Sequence, residues 1–532
     1  MMERMLPMKV LLWAHLLEIH PVVEAFIPTP SSRGRRRDFG SPGPGQRRCN
    51  GPLLQPPPME YPVRKERRFC TIPDETGVAL ITTGAAGAEV IAEEWDGFGV
   101  EDHERFLADF WQKKPLLIRN AIPGFQTPLS KDDLANLACC EDVECRIVRG
   151  GMDVDDDDGG HKWEVEIGPF EEEVFAGLGS ESHWTVLLND VNRHVLEVSD
   201  LLNHFRFVPN WRVDDVMVSY AQRSGSVGPH VDNYDVFLLQ GSGKRRWSIE
   251  NRWISDEEER ARSVKDVGLR VLETHNAAQS WVLEPGDALY LPPRVVHHGL
   301  SMDEECITYS IGFRAPSSKD LLFFFGEHAA STAVKPDDFY RDPDLQKQDN
   351  PGLIDREAVR RAKSILRDAL LATLDDDCAF DRWFGCQVSR SRRDRDGYPP
   401  SMDEDNGLSF GYRTPEDVTE VLRSRFRRLK EAGMAGQGAQ GAVNEGPFVY
   451  HTEGLTFAYV EHESEDAGTT LFVDGNAFEL PSDMTFAGEV LCKASRMSAR
   501  YLGEFLEGPG GEGLATLMHE LLREGFLYPA DD

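Results

Sequence analysis

Long apolar runs are missing from this chain. No uninterrupted stretch in its 532 residues reaches the roughly 18–20 that a membrane-spanning helix needs, and no membrane association is expected. Basic residues are also outweighed: 58 Lys and Arg stand against 91 Asp and Glu, for a formal net charge of −33. Such a chain is a poor general binder of nucleic acid, and its surface suits a basic protein partner. The nine cysteines are scattered, with no paired CxxC framework, which reads as reduced thiols of an intracellular compartment. No internal repeat of fixed period is present. Gly243-Lys244 is not a phosphate-binding loop, because the upstream glycine is absent and Arg245 stands where Ser or Thr is required.

The amino terminus reads as an address. Lys9 precedes an apolar stretch from Val10 to Ala25, and Ser31, Ser32, Arg33 and Arg35 to Arg37 follow. The order resembles bipartite leaders of secondary plastids, with Ala25-Phe26 at the cut. Residues 1–65 are therefore expected to be a targeting leader and linker, extended by Pro/Gly runs. A plastid is the expected destination ahead of a mitochondrion, with cytoplasm or nucleus as alternatives.

Periodicity begins near residue 90. Phe106, Leu107, Phe110 and Trp111 recur at helical spacing, Pro115 ends that helix, and Leu116 to Ile118 reads as a buried strand. The acidic run from Asp153 to Asp158 lacks the ligand spacing of a calcium loop and reads as a solvated insertion. From Trp184 to Arg314 short β-rich runs alternate with Gly, Pro and Asp punctuation: Val216 to Tyr220, Tyr234 to Leu239, Arg246 to Ile249, Ala288 to Leu291, Ile307 to Phe313. That rhythm predicts a mainly β barrel or sandwich over 90–315. Helical character follows over 316–390, where Val359, Ala362, Leu366, Ala369 and Leu370 form a stripe. Residues 391–445 read as a flexible insertion or linker, because 389–397 is basic and polar and 433–441 is Gly/Ala/Gln-rich. In 446–532 strand-like pieces precede two helical stretches, Gly488 to Phe505 and Gly513 to Gly525, which suggests a winged-helix-like domain.

The chemistry concentrates in two segments. In Val227-Gly228-Pro229-His230-Val231-Asp232, the histidine and aspartate are two apart, so in a strand both project from one face. A third metal ligand should come from a distant strand. Glu284 to Pro293 reads as turn, strand and proline stop, and it leads into Val296-His297-His298-Gly299. Neighbouring residues on an extended chain face opposite ways, so one of His297 and His298 is the ligand; pattern alone leaves the choice open. Two histidines and a carboxylate on one face form the facial triad of non-haem iron oxygenases. After the turn Gly241-Ser242-Gly243, Arg245 shares parity with Trp247 and Ile249; if those face inward, so does a guanidinium able to grip a carboxylate. His194, His204 and His275 read as surface or satisfied core groups.

Several segments closely resemble the JmjC ribosomal oxygenases, and within them the bacterial type that hydroxylates an arginine of a large-subunit ribosomal protein. They are Phe110 to Pro115, Trp211 to Met217, Gly228 to Phe237, Gln240 to Gly243 with Arg246-Trp247, and Tyr309 to Arg314. The likeness covers about residues 90–320. It implies a double-stranded β-helix of the JmjC/cupin class, a helical dimerisation region, a winged-helix-like domain, and a homodimer. It implies iron(II), 2-oxoglutarate and O2, with His230, Asp232 and His297 as metal ligands. Arg245, fifteen positions after His230, would bind the cosubstrate, with help from Ser219 and Thr308. The stretch Ala221 to Ser224 departs from the Gly/Pro-rich sequence expected before the ligand strand. A basic ribosomal protein is the implied substrate. A histone N-methyl-lysine demethylase and a non-enzymatic cupin-like binding module are the alternatives.

Overall fold

The computed structural model describes residues 90–155, 161–178, 183–265, 267–335, 337–391, 414–431, 447–462 and 468–530. The expected leader at 1–65, the Gly-rich stretch 433–441 and residues 156–160 of the acidic insertion lie outside the described residues.

The first part of the chain is strand-rich. Its strands are β1 (Glu93–Asp96), β2 (Leu116–Arg119), β3 (Cys145–Asp155), β4 (His161–Ile167), β5 (Trp184–Leu188), β6 (Val213–Ala221), β7 (Asp235–Ser242), β8 (Arg245–Trp253), β9 (Gln279–Leu283), β10 (Ala288–Leu291), β11 (Val295–Ser301) and β12 (Cys306–Phe313). The helices are α1 (His103–Asp109), α2 (Lys131–Ala138), α3 (Glu172–Leu178), α4 (Leu196–Leu201) and α5 (Asp256–Arg262). A nine-stranded sheet runs β1-β2-β10-β7-β12-β6-β5-β3-β4, and a three-stranded sheet runs β11-β8-β9. The strand runs expected between Val216 and Phe313 are found in β6, β7, β8, β10 and β12, with Tyr234 one residue ahead of β7.

Strand alternation separates two cores. Leu117, Val236, Leu238, Leu289 and Leu291 of the large sheet pack against Trp247, Ile249, Leu283 and Val295 of the small one. Their sequence neighbours Leu116, Phe237, Leu239 and Tyr290 face the other way, into a cluster with Phe106 and Phe110 of the α1 segment. Both faces of the central strands are thus buried, which is why they read as continuous apolar runs rather than as alternation. Phe106 meets Tyr290 edge-on at 4.8 Å and Phe237 at 5.3 Å between ring centres. Each such ring contributes about 1.5–3 kcal/mol by burial.

Beyond the barrel come α6 (Ser318–Thr332), α7 (Arg356–Leu374) and α8 (Asp377–Ser389), in the span expected to be helical. The linker expected over 391–445 is interrupted by a 17-residue helix, α9 (Pro415–Glu431). Its buried Val418, Leu422 and Phe426 recur every four residues, a stripe that the flanking basic and Gly-rich segments obscured. The C-terminal part contains β13 (Phe448–His451), β14 (Phe457–Glu461), β15 (Thr469–Val473), β16 (Asn476–Leu480), α10 (Phe486–Lys493), β17 (Arg496–Ser498), α11 (Ala499–Leu506), α12 (Gly511–Arg523) and β18 (Leu527–Ala530). The stretch expected as one helix from Gly488 to Phe505 is therefore two helices separated by β17. The break falls where Met497 pairs with Val449 of β13, and Ser498 then caps α11 through the Tyr501 N–H. The order α10-β17-α11-α12-β18, with β13 between β17 and β18, has the helix and strand succession of a winged helix. Asn210 of the barrel ties the two parts together, donating to Phe457 O (3.2 Å) and Cys492 O (2.9 Å).

Candidate active site

Segment 228–232 approaches β11 through one rung. His230 and His297 exchange both backbone hydrogen bonds, N–H to O at 3.0 Å each way. The pairing sends both imidazoles to one side, 4.2 Å apart between ring centres. Asp232, two residues on, lies on the same side, with Oδ2 3.5 Å from His297 Nε2. Among the described residues, His230, Asp232 and His297 are the one group of three potential ligands whose donor atoms all fall within 4.8 Å of one another.

Both rings are oriented from behind. His230 Nδ1 lies 2.9 Å from Gly228 O, and His297 Nδ1 lies 3.0 Å from Val295 O. A carbonyl only accepts, so Nδ1 carries the proton and Nε2 keeps its lone pair for a metal. Burial, followed by the neighbouring His230, lowers the His297 pKa to about 4, so this ring is neutral near pH 7. The donor set suits a divalent first-row ion.

Glycines shape the walls. Gly228 adopts φ +80°, and a Cβ there would fall 2.1 Å from Val271 Cγ2 and 3.0 Å from the Trp163 ring. Gly299 pairs with Trp247, and a Cβ on it would meet that indole at 2.6 Å.

Of the two adjacent histidines, the structure brings His297 beside His230 and Asp232. His298 faces away from the triad, with Nε2 2.9 Å from Ser226 Oγ. His275 is likewise engaged, 2.8 Å from Ser248 Oγ. His204 lies at the surface, with its pKa lowered by desolvation from the residues around it.

Arg245 is 4% exposed and, like Trp247 and Ile249, buried on its strand, as parity predicted. Its Nη2 has no hydrogen-bond partner among the described residues. A buried guanidinium nitrogen without a partner is costly, and a carboxylate would satisfy it. Ser219 and Thr308 are register partners on β6 and β12 and are both buried. Ser219 Oγ donates to Thr308 O at 3.4 Å, while Thr308 Oγ1 donates to Gln240 Oε1 at 3.0 Å. Sequence reasoning missed Cys306, whose Sγ lies 3.4 Å from Arg245 Nε. Its parity with Thr308 on β12 was the available signal.

A JmjC-domain family model matches residues 200–321, which enclose the triad and Arg245. The ribosomal protein uL16 3-hydroxylase of Escherichia coli is 34% identical over 295 residues, covering 56% of this chain and 73% of that protein. A probable ribosomal oxygenase of Haemophilus influenzae is 35% identical, covering 54% and 69%. The chain belongs to the JmjC ribosomal oxygenases. Among solved structures, the Escherichia coli ribosomal oxygenase YcfD in complex with cobalt and 2-oxoglutarate superposes with a TM-score of 0.58 at 26% identity, covering 80% of this chain and 98% of that one. Among the described residues of this ribosomal oxygenase, His230, Asp232 and His297 could hold such a metal and Arg245 such an acid.

Proposed function

We propose that this protein is an iron(II)- and 2-oxoglutarate-dependent dioxygenase that hydroxylates a side chain of a large-subunit ribosomal protein, with arginine as the target. The observation that carries this reading is that one barrel holds both a three-ligand metal group and a buried arginine whose Nη2 has no partner among the described residues. When bound, iron(II) and 2-oxoglutarate supply the oxidising chemistry: O2 is consumed, the keto acid becomes succinate and carbon dioxide, and one oxygen enters the substrate C–H bond. The chain's own residues bind and orient. His230, Asp232 and His297 would hold the metal, and the Gly228 and Val295 carbonyls keep both rings in the ligating tautomer. Arg245 would grip the distal carboxylate, and the apolar wall of Trp247, Ile249 and Leu238 limits water.

Carboxylates gathered near the metal end favour a cationic substrate. Asp232 first, with Asp215 and Asp214, pushes the hydroxyl of the partly exposed Tyr234 well above its ordinary pKa. These acids, and the net charge of the chain, suit a basic ribosomal protein rather than direct binding to nucleic acid.

Two further parts of the reading concern assembly and address. A homodimer is supported by apolar side chains left exposed on and beside α6 and α7: Leu322, Phe323, Ile354 and Leu366 are 69%, 63%, 77% and 66% exposed. A plastid address rests on the composition of residues 1–65.

The test is anaerobic iron(II) titration followed by succinate release, with and without a basic large-subunit ribosomal protein. Substrate-stimulated succinate and a gain of one oxygen on arginine, both lost in His230→Ala, support the reading. Metal binding without stimulation by any ribosomal protein would remove the substrate. Oxygen on the methyl group of a methylated histone lysine, with formaldehyde release, would establish the demethylase instead. Folded protein that binds no iron would leave only a binding module.

A further inference from the structure

Arg245 enters a closed interior on a long flexible side chain, so something must aim it. Of its donor nitrogens, Nε is directed at Cys306 Sγ, 3.4 Å away, while Nη2 is left without a partner among the described residues. The sulfur is itself fixed. It accepts from Gln240 Nε2 at 3.4 Å and donates its proton to Lys244 O at 3.6 Å. Gln240 is held in turn, donating to Ser242 O at 2.7 Å and accepting from Thr308 Oγ1 at 3.0 Å. The thiol is fully buried on β12, and the centre of the Trp247 ring lies 5.8 Å from the guanidinium carbon.

The chemistry of the acceptor matters. A carboxylate at this position would orient the guanidinium and also neutralise it. A protonated thiol orients it while leaving its charge for the ligand.

We infer that Cys306 is a positioning residue for the cosubstrate: its thiol, locked by Gln240 and Lys244 O, holds Arg245 Nε so that Nη2 faces the distal carboxylate of the bound keto acid. The inference rests on the functional reading above and adds the element that aims its cation. The thiol touches neither the metal ligands nor the reacting carbon. Its loss should therefore alter cosubstrate affinity and leave the metal site and the chemical step in place.

The experiment compares the full chain with Cys306→Ala, Cys306→Val and Cys306→Ser. Manganese(II), which does not turn over, is titrated first. The dissociation constant for 2-oxoglutarate is then measured calorimetrically on the manganese-loaded proteins, and KM and kcat for succinate release on the iron-loaded ones. Cys306→Ala and Cys306→Val should each raise both the dissociation constant and the KM for the keto acid about tenfold, the effect of losing one hydrogen bond to a charged group. The kcat at saturation should stay within about twofold, manganese affinity should not change, and Cys306→Ser, which keeps an acceptor, should recover most of the loss. Two variants of different volume guard against failure of either one to fold. Unchanged 2-oxoglutarate affinity in the folded variants overturns the inference. So does a fall in manganese affinity and thermal stability in step with it, which would make the thiol a packing group only. Wild-type protein that binds manganese but not 2-oxoglutarate would overturn the functional reading and this inference together.

Discussion

The Tyr290 hydroxyl donates to Asp235 Oδ1 at 2.6 Å, and both residues are fully buried. Asp235 follows the candidate metal ligand Asp232 by three residues, so this bond anchors the start of β7 beneath the candidate site. Gln112 completes the tie, donating its side-chain amide to Asp235 Oδ2 (2.9 Å) and its backbone N–H to the Tyr290 oxygen (2.7 Å). Tyr290→Phe keeps the ring among Phe106, Phe237 and Trp111 but leaves the Gln112 N–H and one carboxylate oxygen short of a partner. The expected cost is about 1.5–3 kcal/mol, read by urea unfolding. A loss below about 0.5 kcal/mol would mean that water takes the place of the hydroxyl.

The adjacent histidines should separate cleanly. His297→Ala removes the proposed ligand whose ring is buried and aimed by Val295 O, and metal affinity should fall more than about 100-fold. His298→Ala removes the contact with Ser226 Oγ and the packing against the His275 ring, outside the triad, and should leave metal affinity within about threefold. Anaerobic titration with cobalt(II), followed by its visible absorption, measures both. Equal losses would refute the assignment.

What could be read from residues alone was what depends on short-range periodicity. His230 and Asp232 share a face because side chains alternate, and Arg245 was placed inward by the same rule through Trp247 and Ile249. The choice between His297 and His298 depends on register: the pairing of β11 with β8 shifts between Val295 and His297, and only the pairing itself shows which ring meets His230. The contact made by Cys306 was hidden for a related reason, although its parity with Thr308 placed it on the same face of β12. Cys306 is 61 positions from Arg245 (306 − 245), and nothing in either segment encodes that the two side chains meet. Helix α9 was obscured differently, since its stripe of Val418, Leu422 and Phe426 is short and most of its other residues are charged.

Gly299→Ala tests the packing behind the site. The added methyl would sit 2.6 Å from the Trp247 indole, whose ring is buried and also lies 5.9 Å from His297 between centres. The ring must move or the strand must bow. Overpacking of this kind costs about 1–3 kcal/mol. Thermal unfolding should report the loss, and metal affinity should weaken because the displaced indole presses on a ligand. Wild-type values in both measurements would show that β11 yields at no cost.

His451 offers a stability test far from the metal. It is 9% exposed, stacks on Phe457 at 3.6 Å between ring centres, and has no partner at Nε2 among the described residues. Burial, and then the Arg206 charge, lower its pKa to about 3. The unfolded chain therefore takes up this proton first, near the ordinary histidine value of about 6.5, while the folded chain resists it. The stability contributed by the neutral ring is fully present above that value. It drains away as pH falls from about 6.5 toward 3, at up to about 1.4 kcal/mol per pH unit. His451→Phe keeps an aromatic ring on Phe457 and removes the proton site. Denaturant unfolding at pH 7, 5.5 and 4.5 should show the gap between wild type and variant shifting in favour of the variant as pH falls. Parallel pH profiles would mean that the ring is solvated in the folded protein, and that the junction between barrel and C-terminal part opens to water there.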